Sequence, residues 1–217
     1  MGFFYLLIVM TIKIDNRPIL ILDIDETLIH SDFNGNEHTI NYRPYLIEFL
    51  KGVYKYFNLF IFTAATKSYA LLIITRISLK MGFNPFKGLL HRDHITEESD
   101  GVNTFYYKDL SVFFKEFFDG DETRINNTII VDNIKHNYHK QPNNGINIKD
   151  FIDDPNDTCL EQLYTFLLQY IASKEHAVTY LDNNRSAMIN FTNNEKDQYN
   201  KEQLLSGYNQ EQILSGY

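Results

Sequence analysis

The sequence predicts an α/β fold built on a parallel sheet, and three observations support this. Between residues 17 and 175 short apolar runs alternate with longer amphipathic ones. The short runs are continuous in Ile, Leu, Val and Phe, as in strands buried on both faces of a parallel sheet. Several of them also end in Asp, Asn or Thr. In such folds the ligand site lies beyond the carboxyl ends of the strands, at the point where strand order reverses.

Ile19 to Leu22 is the first continuous run and predicts a buried strand. Arg43 to Tyr56 opens with Pro44 in a first-turn position. Leu46, Ile47, Phe49, Leu50, Val53 and Tyr54 then fall at helical spacing. Asn58 to Ala64 predicts a strand, and Tyr69 to Met81 a helix closed by Gly82. Leu110 to Phe118 predicts a helix, Thr128 to Val131 a buried strand, Gly145 to Ile148 a short last strand and Leu160 to Ser173 a closing helix. Between Thr27 and Arg43 there is room for a single hairpin, with Asn34-Gly35-Asn36 at its tip.

Composition narrows the function classes. The 217 residues carry a net charge of -8, with 28 acidic against 20 basic side chains. Such a chain has no overall electrostatic reason to coat nucleic acid or an anionic membrane. A single cysteine, Cys159, excludes an internal disulfide and a multi-cysteine zinc site. An intracellular, soluble protein of a reducing compartment is the expectation. Phe3 to Met10 is apolar but shorter than the about 20 residues of a membrane span, and lacks the flanks of a signal peptide. Position 6 is Leu where a myristoylation motif takes Ser or Thr. Residues 1–16 are read as an N-terminal apolar segment, either an extra strand or an extension upstream of a start at Met10. At the other end YNKEQLLSG (Tyr199 to Gly207) is duplicated as YNQEQILSG (Tyr208 to Gly216), behind an Asn- and charge-rich stretch from Asn183 to Gln198. Two copies cannot form a solenoid, so residues 176–217 are read as a linker and flexible tail, with a docking peptide as the other reading.

The chemistry is concentrated at three strand ends. The first strand runs into Asp23-Ile24-Asp25-Glu26-Thr27, the second into Thr63 and the third into Asp132-Asn133, with Lys108 just ahead of a helix. Two carboxylates separated by one residue, joined by a third from another strand, make an oxygen-rich site suited to a hard cation such as Mg²⁺. A hydroxyl and an ammonium beside them are what a bound phosphoryl group requires. A single Asp at a strand end would merely cap the next turn; the whole set in order is harder to explain as capping.

ILILDIDETLIHS resembles the signature of the haloacid dehalogenase superfamily. More narrowly, it resembles the protein phosphatases that act on the C-terminal domain of RNA polymerase II. YRPYLIEFL (Tyr42 to Leu50), FIFTAAT (Phe60 to Thr66), HRDHIT (His91 to Thr96), YYKDLS (Tyr106 to Ser111) and IIVDN (Ile129 to Asn133) follow in family order, and QPNNGINIKDF (Gln141 to Phe151) echoes a turn of some members. The resemblance spans residues 17 to 172 and implies a Rossmann-like three-layer fold with a phosphatase domain over 17–175. It further implies an Mg²⁺-dependent serine/threonine phosphoprotein phosphatase acting through an aspartyl-phosphate. Asp23 would be the nucleophile and Asp25 the proton donor and acceptor. Mg²⁺ would be held by Asp23, the backbone carbonyl of Asp25, and Asp132 with Asn133. Thr63, Lys108 and Arg92 would bind the phosphoryl oxygens.

Thr27 and His30 invite a catalytic reading, but Thr27 is expected to stabilise the turn after Asp23, and His30 to pack the start of the hairpin. Lys135, His136, His139 and Lys140 form a basic cluster directly after Asp132-Asn133, readable as a solvated loop or as a positive rim that attracts phosphorylated peptide. The hairpin is shorter than the insertion of the small polymerase phosphatases, so their proline-directed preference does not carry over, and no cap domain is visible. An open site favours a phosphorylated protein or peptide over a small metabolite, the competing enzymatic reading. A binding module that has lost catalysis is opposed by the presence of Asp23, Asp25, Lys108 and Asp132.

Overall fold

The computed structural model describes residues 14–33, 38–99, 101–102, 104–189 and 191–193. Five parallel strands form the central sheet in the order β5-β4-β1-β8-β9. These are β1 (Ile19–Leu22), β4 (Asn58–Phe62), β5 (Phe86–Leu90), β8 (Thr128–Asp132) and β9 (Gly145–Asn147). From β1 the chain builds outward to β4 and β5, then crosses to β8 and β9 on the other side. Strand order therefore reverses between β1 and β8, the crevice where α/β folds bind ligands.

Alternation along the strands explains the layers. Leu20 and Leu22 of β1, Leu59 and Ile61 of β4, and Ile129 and Val131 of β8 face one core. Helices α1 (Leu46–Val53), α2 (Lys67–Met81), α4 (Cys159–Ser173) and α5 (Ala177–Asn183) cover it. Ile19, Ile21, Phe60, Phe62 and Ile130 face a second core under α3 (Leu110–Phe118). There Phe60 meets Phe113 edge-on with ring centroids 4.9 Å apart. The continuous Ile/Leu run of β1 is thus explained: both of its faces are covered.

Helix limits differ from expectation by local turn chemistry. α1 starts at Leu46 rather than Arg43 because Tyr45 adopts a left-handed conformation (φ 70) that breaks the backbone path from Pro44. α2 starts at Lys67, two residues before the expected Tyr69, because Thr66 caps it. Its end at Gly82 (φ 82) is as expected.

Two hairpins interrupt the α/β pattern. β2 (Ile29–Phe33) pairs with β3 (His38–Tyr42) where one hairpin was expected, its tip lying outside the described residues. β6 (Thr96–Ser99) and β7 (Thr104–Tyr107) form a second, outside the elements that the sequence predicts. The edge strand β5 was also not expected, since Lys87 and Gly88 interrupt its apolar run. Gly88 gives the Phe117 ring room to pack on the strand, since a Cβ there would force that ring to move.

The packed body also runs past the expected limit at residue 175. Ala177, Tyr180, Leu181, Met188 and Phe191 are all buried, the Phe166 and Phe191 rings meet at a tilt with centroids 5.7 Å apart, and Thr192 bridges to Ile148. The stretch from Asn183 to Asn193, read as the start of a linker, therefore belongs to the core in part. Its apolar residues are too widely spaced among Asn and charge to register as an element. The N-terminal run and the duplicated tail lie outside the described residues. Among the described residues no helix is long and apolar enough to cross a membrane.

Candidate phosphoryl-transfer site at the strand ends

Asp23 is placed by the sheet itself. Its N–H donates to the Val131 carbonyl of β8 (3.0 Å), extending the ladder one residue beyond β1. A tight turn follows, in which the Ile24 carbonyl accepts from the N–H groups of Thr27, Leu28 and Ile29, and Glu26 takes a left-handed conformation (φ 56). Ile24 is fully buried in the core beneath. With that apolar anchor between them, Asp23 and Asp25 stay on the crevice side of the turn.

Lys108 ties two strand ends together. Its Nζ donates to Asp23 Oδ1 (2.6 Å) and to Asp132 Oδ2 (2.5 Å), and all three side chains are buried. The two carboxylate oxygens therefore lie within about 5 Å of each other. The lysine main chain is pinned from the loop after β8. Its N–H donates to the Asn137 carbonyl (2.6 Å), and its carbonyl accepts from Gln141 Nε2 (2.5 Å). Thr27 Oγ1 donates to Asp23 Oδ2 at 3.3 Å, so Thr27 both closes the turn and orients the carboxylate. Asp132 Oδ1 accepts from the Ile134 N–H (2.8 Å) and Asn137 Nδ2 (2.9 Å). With Lys108 on its other oxygen, Asp132 serves here as counterion and guide for the ammonium.

The remaining expected residues follow the carboxyl ends of β4, β5 and β8 in the same sheet. Thr63 follows β4, next to β1, with its N–H donating to the Leu90 carbonyl and its hydroxyl accepting from the Ala65 N–H (3.1 Å). Arg92, half-buried just past β5, donates through Nε to the Ala64 carbonyl (3.1 Å), which holds it beside the Thr63 loop. Asn133 donates through Nδ2 to Asp150 Oδ1 (2.9 Å), and its backbone carbonyl accepts from Asn193 Nδ2 (3.0 Å). Asn193 donates also to the Ile148 carbonyl (3.0 Å) and so clasps the end of the chain body to the site. His30 bonds Glu26 (2.9 Å) and Asp32 (3.2 Å) at the base of the β2–β3 hairpin, as its expected packing role requires.

Charge is unbalanced in this crevice. Burial pushes the Asp23 carboxyl up, with Asp132 and Asp25 adding to the effect and Lys108 opposing it. Burial also raises Asp25, against a hydrogen bond from Tyr69 and the charge of Lys108. For Lys108 burial favours the neutral amine, but Asp132 and Asp23 outweigh it and hold the group as ammonium. Three carboxyls around one ammonium leave an excess of negative charge. A divalent cation would offset it, and a carboxylate, an Asn amide and a backbone carbonyl are hard oxygen donors. Among the described residues no three His, Cys, Asp or Glu side chains converge as a ready-made cage.

Sequence reasoning missed four supports. Arg43 is fully buried and pairs bidentately with Asp157 (2.9 and 2.8 Å) while donating to the Thr27 (3.0 Å) and Lys149 (2.8 Å) carbonyls. Tyr69 bonds Asp25 across 44 positions of chain. Asn137 and Gln141 fix Asp132 and Lys108. A charged residue buried in RPYLIEF and a Tyr in the first turn of α2 gave no local sign of these distant partners. The basic cluster is only partly a rim. Lys140 pairs with Glu98 (2.8 Å) and lies over the Tyr107 ring, while His136 and His139 stack (4.6 Å) against Phe105 and Tyr107. These three brace the β6–β7 hairpin, and Lys135 is left exposed.

The sequence matches the NLI interacting factor-like phosphatase family over residues 18–197. The chain belongs to that family. The resemblance read from its motifs is thereby borne out, and the match covers the described residues from 18 onward. Among curated relatives, the CTD nuclear envelope phosphatase 1 homolog of Caenorhabditis elegans is 32% identical over 175 residues. The alignment covers 70% of this chain and 65% of that protein. Nuclear envelope morphology protein 1 of Saccharomyces cerevisiae is 32% identical over 172 residues, covering 68% of this chain and 38% of that protein. The chain thus spans under two thirds of the length of these relatives. Among solved structures, a variant of the fission yeast RNA polymerase II CTD phosphatase Fcp1 bound to beryllium fluoride is 18% identical, with a TM-score of 0.46, over 87% of this chain and 61% of that one.

Proposed function

We propose that this chain is an Mg²⁺-dependent phosphoprotein phosphatase acting through Asp23. The observation that carries the reading is the Asp23 carboxylate, buried at the switch between β1 and β8 and oriented by Lys108 and Thr27, with Asp25 one residue beyond. An Asp23 oxygen attacks phosphorus as the bond to the leaving oxygen breaks, and Asp25 gives that oxygen a proton. Water then attacks phosphorus, Asp25 takes a proton back, and Asp23 is released with inorganic phosphate. One group serves as acid and then base because the second step reverses the sense of the first. Two easier steps replace one difficult displacement. Lys108, Thr63 and Arg92 bind the equatorial oxygens, where charge gathers in the loose transition state. Asp23, Asn133 and the Asp25 carbonyl would hold Mg²⁺, with Asp132 joining them only by yielding an oxygen from Lys108. The ion supplies charge neutralisation between an anionic nucleophile and an anionic phosphate.

A macromolecular substrate is favoured by the two hairpins, which flank the crevice, and by relatives whose names mark them as CTD phosphatases. The test is turnover with Mg²⁺ on a panel of phosphoserine, phosphothreonine and phosphotyrosine peptides beside sugar phosphates, with a chelator control. Peptide turnover that chelation abolishes is expected. Faster turnover of sugar phosphates would instead make this a metabolite phosphatase. Beryllofluoride with Mg²⁺ is expected to inhibit, since it mimics the phosphoryl group on Asp23; failure to inhibit would count against the covalent step.

A further inference from the structure

The Asp25 carboxyl has a single side-chain anchor among the described residues, beside a hydrogen bond from its own backbone N–H. Its Oδ1 accepts a 2.6 Å hydrogen bond from the Tyr69 hydroxyl, and among the described residues no other side chain hydrogen-bonds it. The same hydroxyl lies 2.9 Å from Ser31 Oγ. A phenol has one proton to give. The shorter contact runs to the carboxyl oxygen, so Ser31 donates to the phenol oxygen. Tyr69 itself is rigidly mounted. It sits in the first turn of α2 with its N–H on Thr66 Oγ1, its ring packs in the core, and it is only 7% exposed. Three elements meet at this hydroxyl: the loop after β1, the helix α2, and strand β2 of the hairpin.

We propose that Tyr69, braced by Ser31, is a positioning residue that sets the plane of the Asp25 carboxyl and leaves Oδ2 to deliver the proton to the departing ester oxygen. The inference rests on the reading of Asp25 as proton donor. A carboxyl torsion is broad and two-fold when nothing restrains it, whereas proton transfer needs its oxygen about 2.6–3.2 Å from the acceptor. Fixing Oδ1 restricts that torsion. As the proton leaves, Asp25 becomes a carboxylate, and a hydrogen bond to an ionised acceptor is roughly twice as strong as one to a neutral acceptor. The Tyr69 bond is therefore stronger in the transition state than in the ground state, and only such interactions accelerate the chemical step. Every atom is accounted for: the P–O bond to the alcohol breaks, the P–O bond to Asp23 forms, and the Asp25 proton ends on the alcohol.

The test exploits leaving groups. A serine alkoxide needs a proton to depart; p-nitrophenolate does not. Values of kcat/KM report only the steps up to release of the alcohol, so they separate this role from the later hydrolysis of the phosphoenzyme. For Tyr69→Phe, kcat/KM on a phosphoserine peptide should fall about 10- to 100-fold, part of the ~10²–10⁴ that general acid–base catalysis supplies. On p-nitrophenyl phosphate the fall should be several-fold smaller. Ser31→Ala should show the same discrimination in weaker form, and it tests the brace even if the Tyr69 variant folds poorly. Asp25→Asn is the control and must itself lose more on the peptide than on the aryl ester. If Asp25→Asn discriminates and Tyr69→Phe lowers both substrates equally, or neither, Tyr69 is a packing residue and the proposal is overturned while the catalytic reading stands. If Asp25→Asn does not discriminate, the reading of Asp25 falls and the role of Tyr69 falls with it.

Discussion

Asp23 is one oxygen away from an asparagine, and that small difference is the sharpest probe of the chemistry at the residue scale. Asp23→Asn keeps the shape of the turn, because the backbone bond to Val131 does not involve the side chain. Mg²⁺-dependent hydrolysis of p-nitrophenyl phosphate should nevertheless drop by at least about 100-fold, a barrier increase of about 2.7 kcal/mol. Steady-state kinetics beside a melting curve checks this, and a residual rate above about a tenth would contradict nucleophilic catalysis by this group. Lys108 makes the complementary case. Lys108→Met removes the ammonium that pairs both Asp23 and Asp132 and leaves two buried carboxylates without it. Breaking a buried pair from one side costs about 3–5 kcal/mol. The variant should therefore lose both activity and thermal stability, while Asp23→Asn, which leaves Lys108 its pair with Asp132, should lose activity with a smaller change in stability. The contrast separates a group that reacts from one that also holds the site together.

At the scale of elements, Arg43 joins four segments that are distant in sequence: the turn after Asp23 through the Thr27 carbonyl, the head of α1, the Lys149 carbonyl, and Asp157 at the start of α4. Burial works against the charge of Asp157, but the Arg43 guanidinium outweighs it and holds the carboxyl below its ordinary value. A depressed carboxyl contributes stability that is present above the unfolded value, about 3.9, and lost as pH falls through the folded value. Denaturant melts of wild type and Asp157→Asn should thus differ most above the unfolded value and converge as pH falls through the depressed folded value. A difference independent of pH would show that the pair is not the source. Arg43→Met should cost about 3–5 kcal/mol, as the loss of one partner of a buried pair does, and should loosen the Asp23 turn. Nothing local in the sequence announces this role, since Asp157 lies 114 residues away. What was legible had a local cause. β1 and β8 were readable because their apolar runs are covered on both faces, and the strand-end set because its residues crowd the carboxyl ends. β5 was hidden by Lys87 and Gly88, and β6 by the polar run Thr-Glu-Glu-Ser, whose pairing with β7 is the whole of its strand character.

Across the whole molecule, the decisive question is where the cooperative body ends. A boundary at 175 follows from sequence because α4 is the last clearly amphipathic segment. Packing continues, however, through α5 to Phe191, and Asn193 bonds the backbone of Asn133 beside the proposed metal ligands. Two truncations separate these views. Cutting after Ser173 removes Ala177, Tyr180, Leu181, Met188 and Phe191 from the core, each at most 6% exposed. Large-to-small changes at single buried positions of this kind cost about 2–5 kcal/mol each, and the total stability of a domain is about 5–15 kcal/mol. That truncated chain should not fold cooperatively, and its turnover of an aryl phosphate should be lost with the fold. Cutting after Gln198 removes the duplicated segment alone and keeps every residue assigned a role here, from Asp23 to Asn193. Melting temperature and kcat/KM on p-nitrophenyl phosphate should both stay at the level of the full chain. A shorter chain ending at Ser173 that melts like the full one would show that the contacts of α5 and Phe191 add little. A loss on cutting after Gln198 would show instead that the repeated Leu-Ser-Gly segments pack on the body, and the tail would then have to be counted as part of the fold.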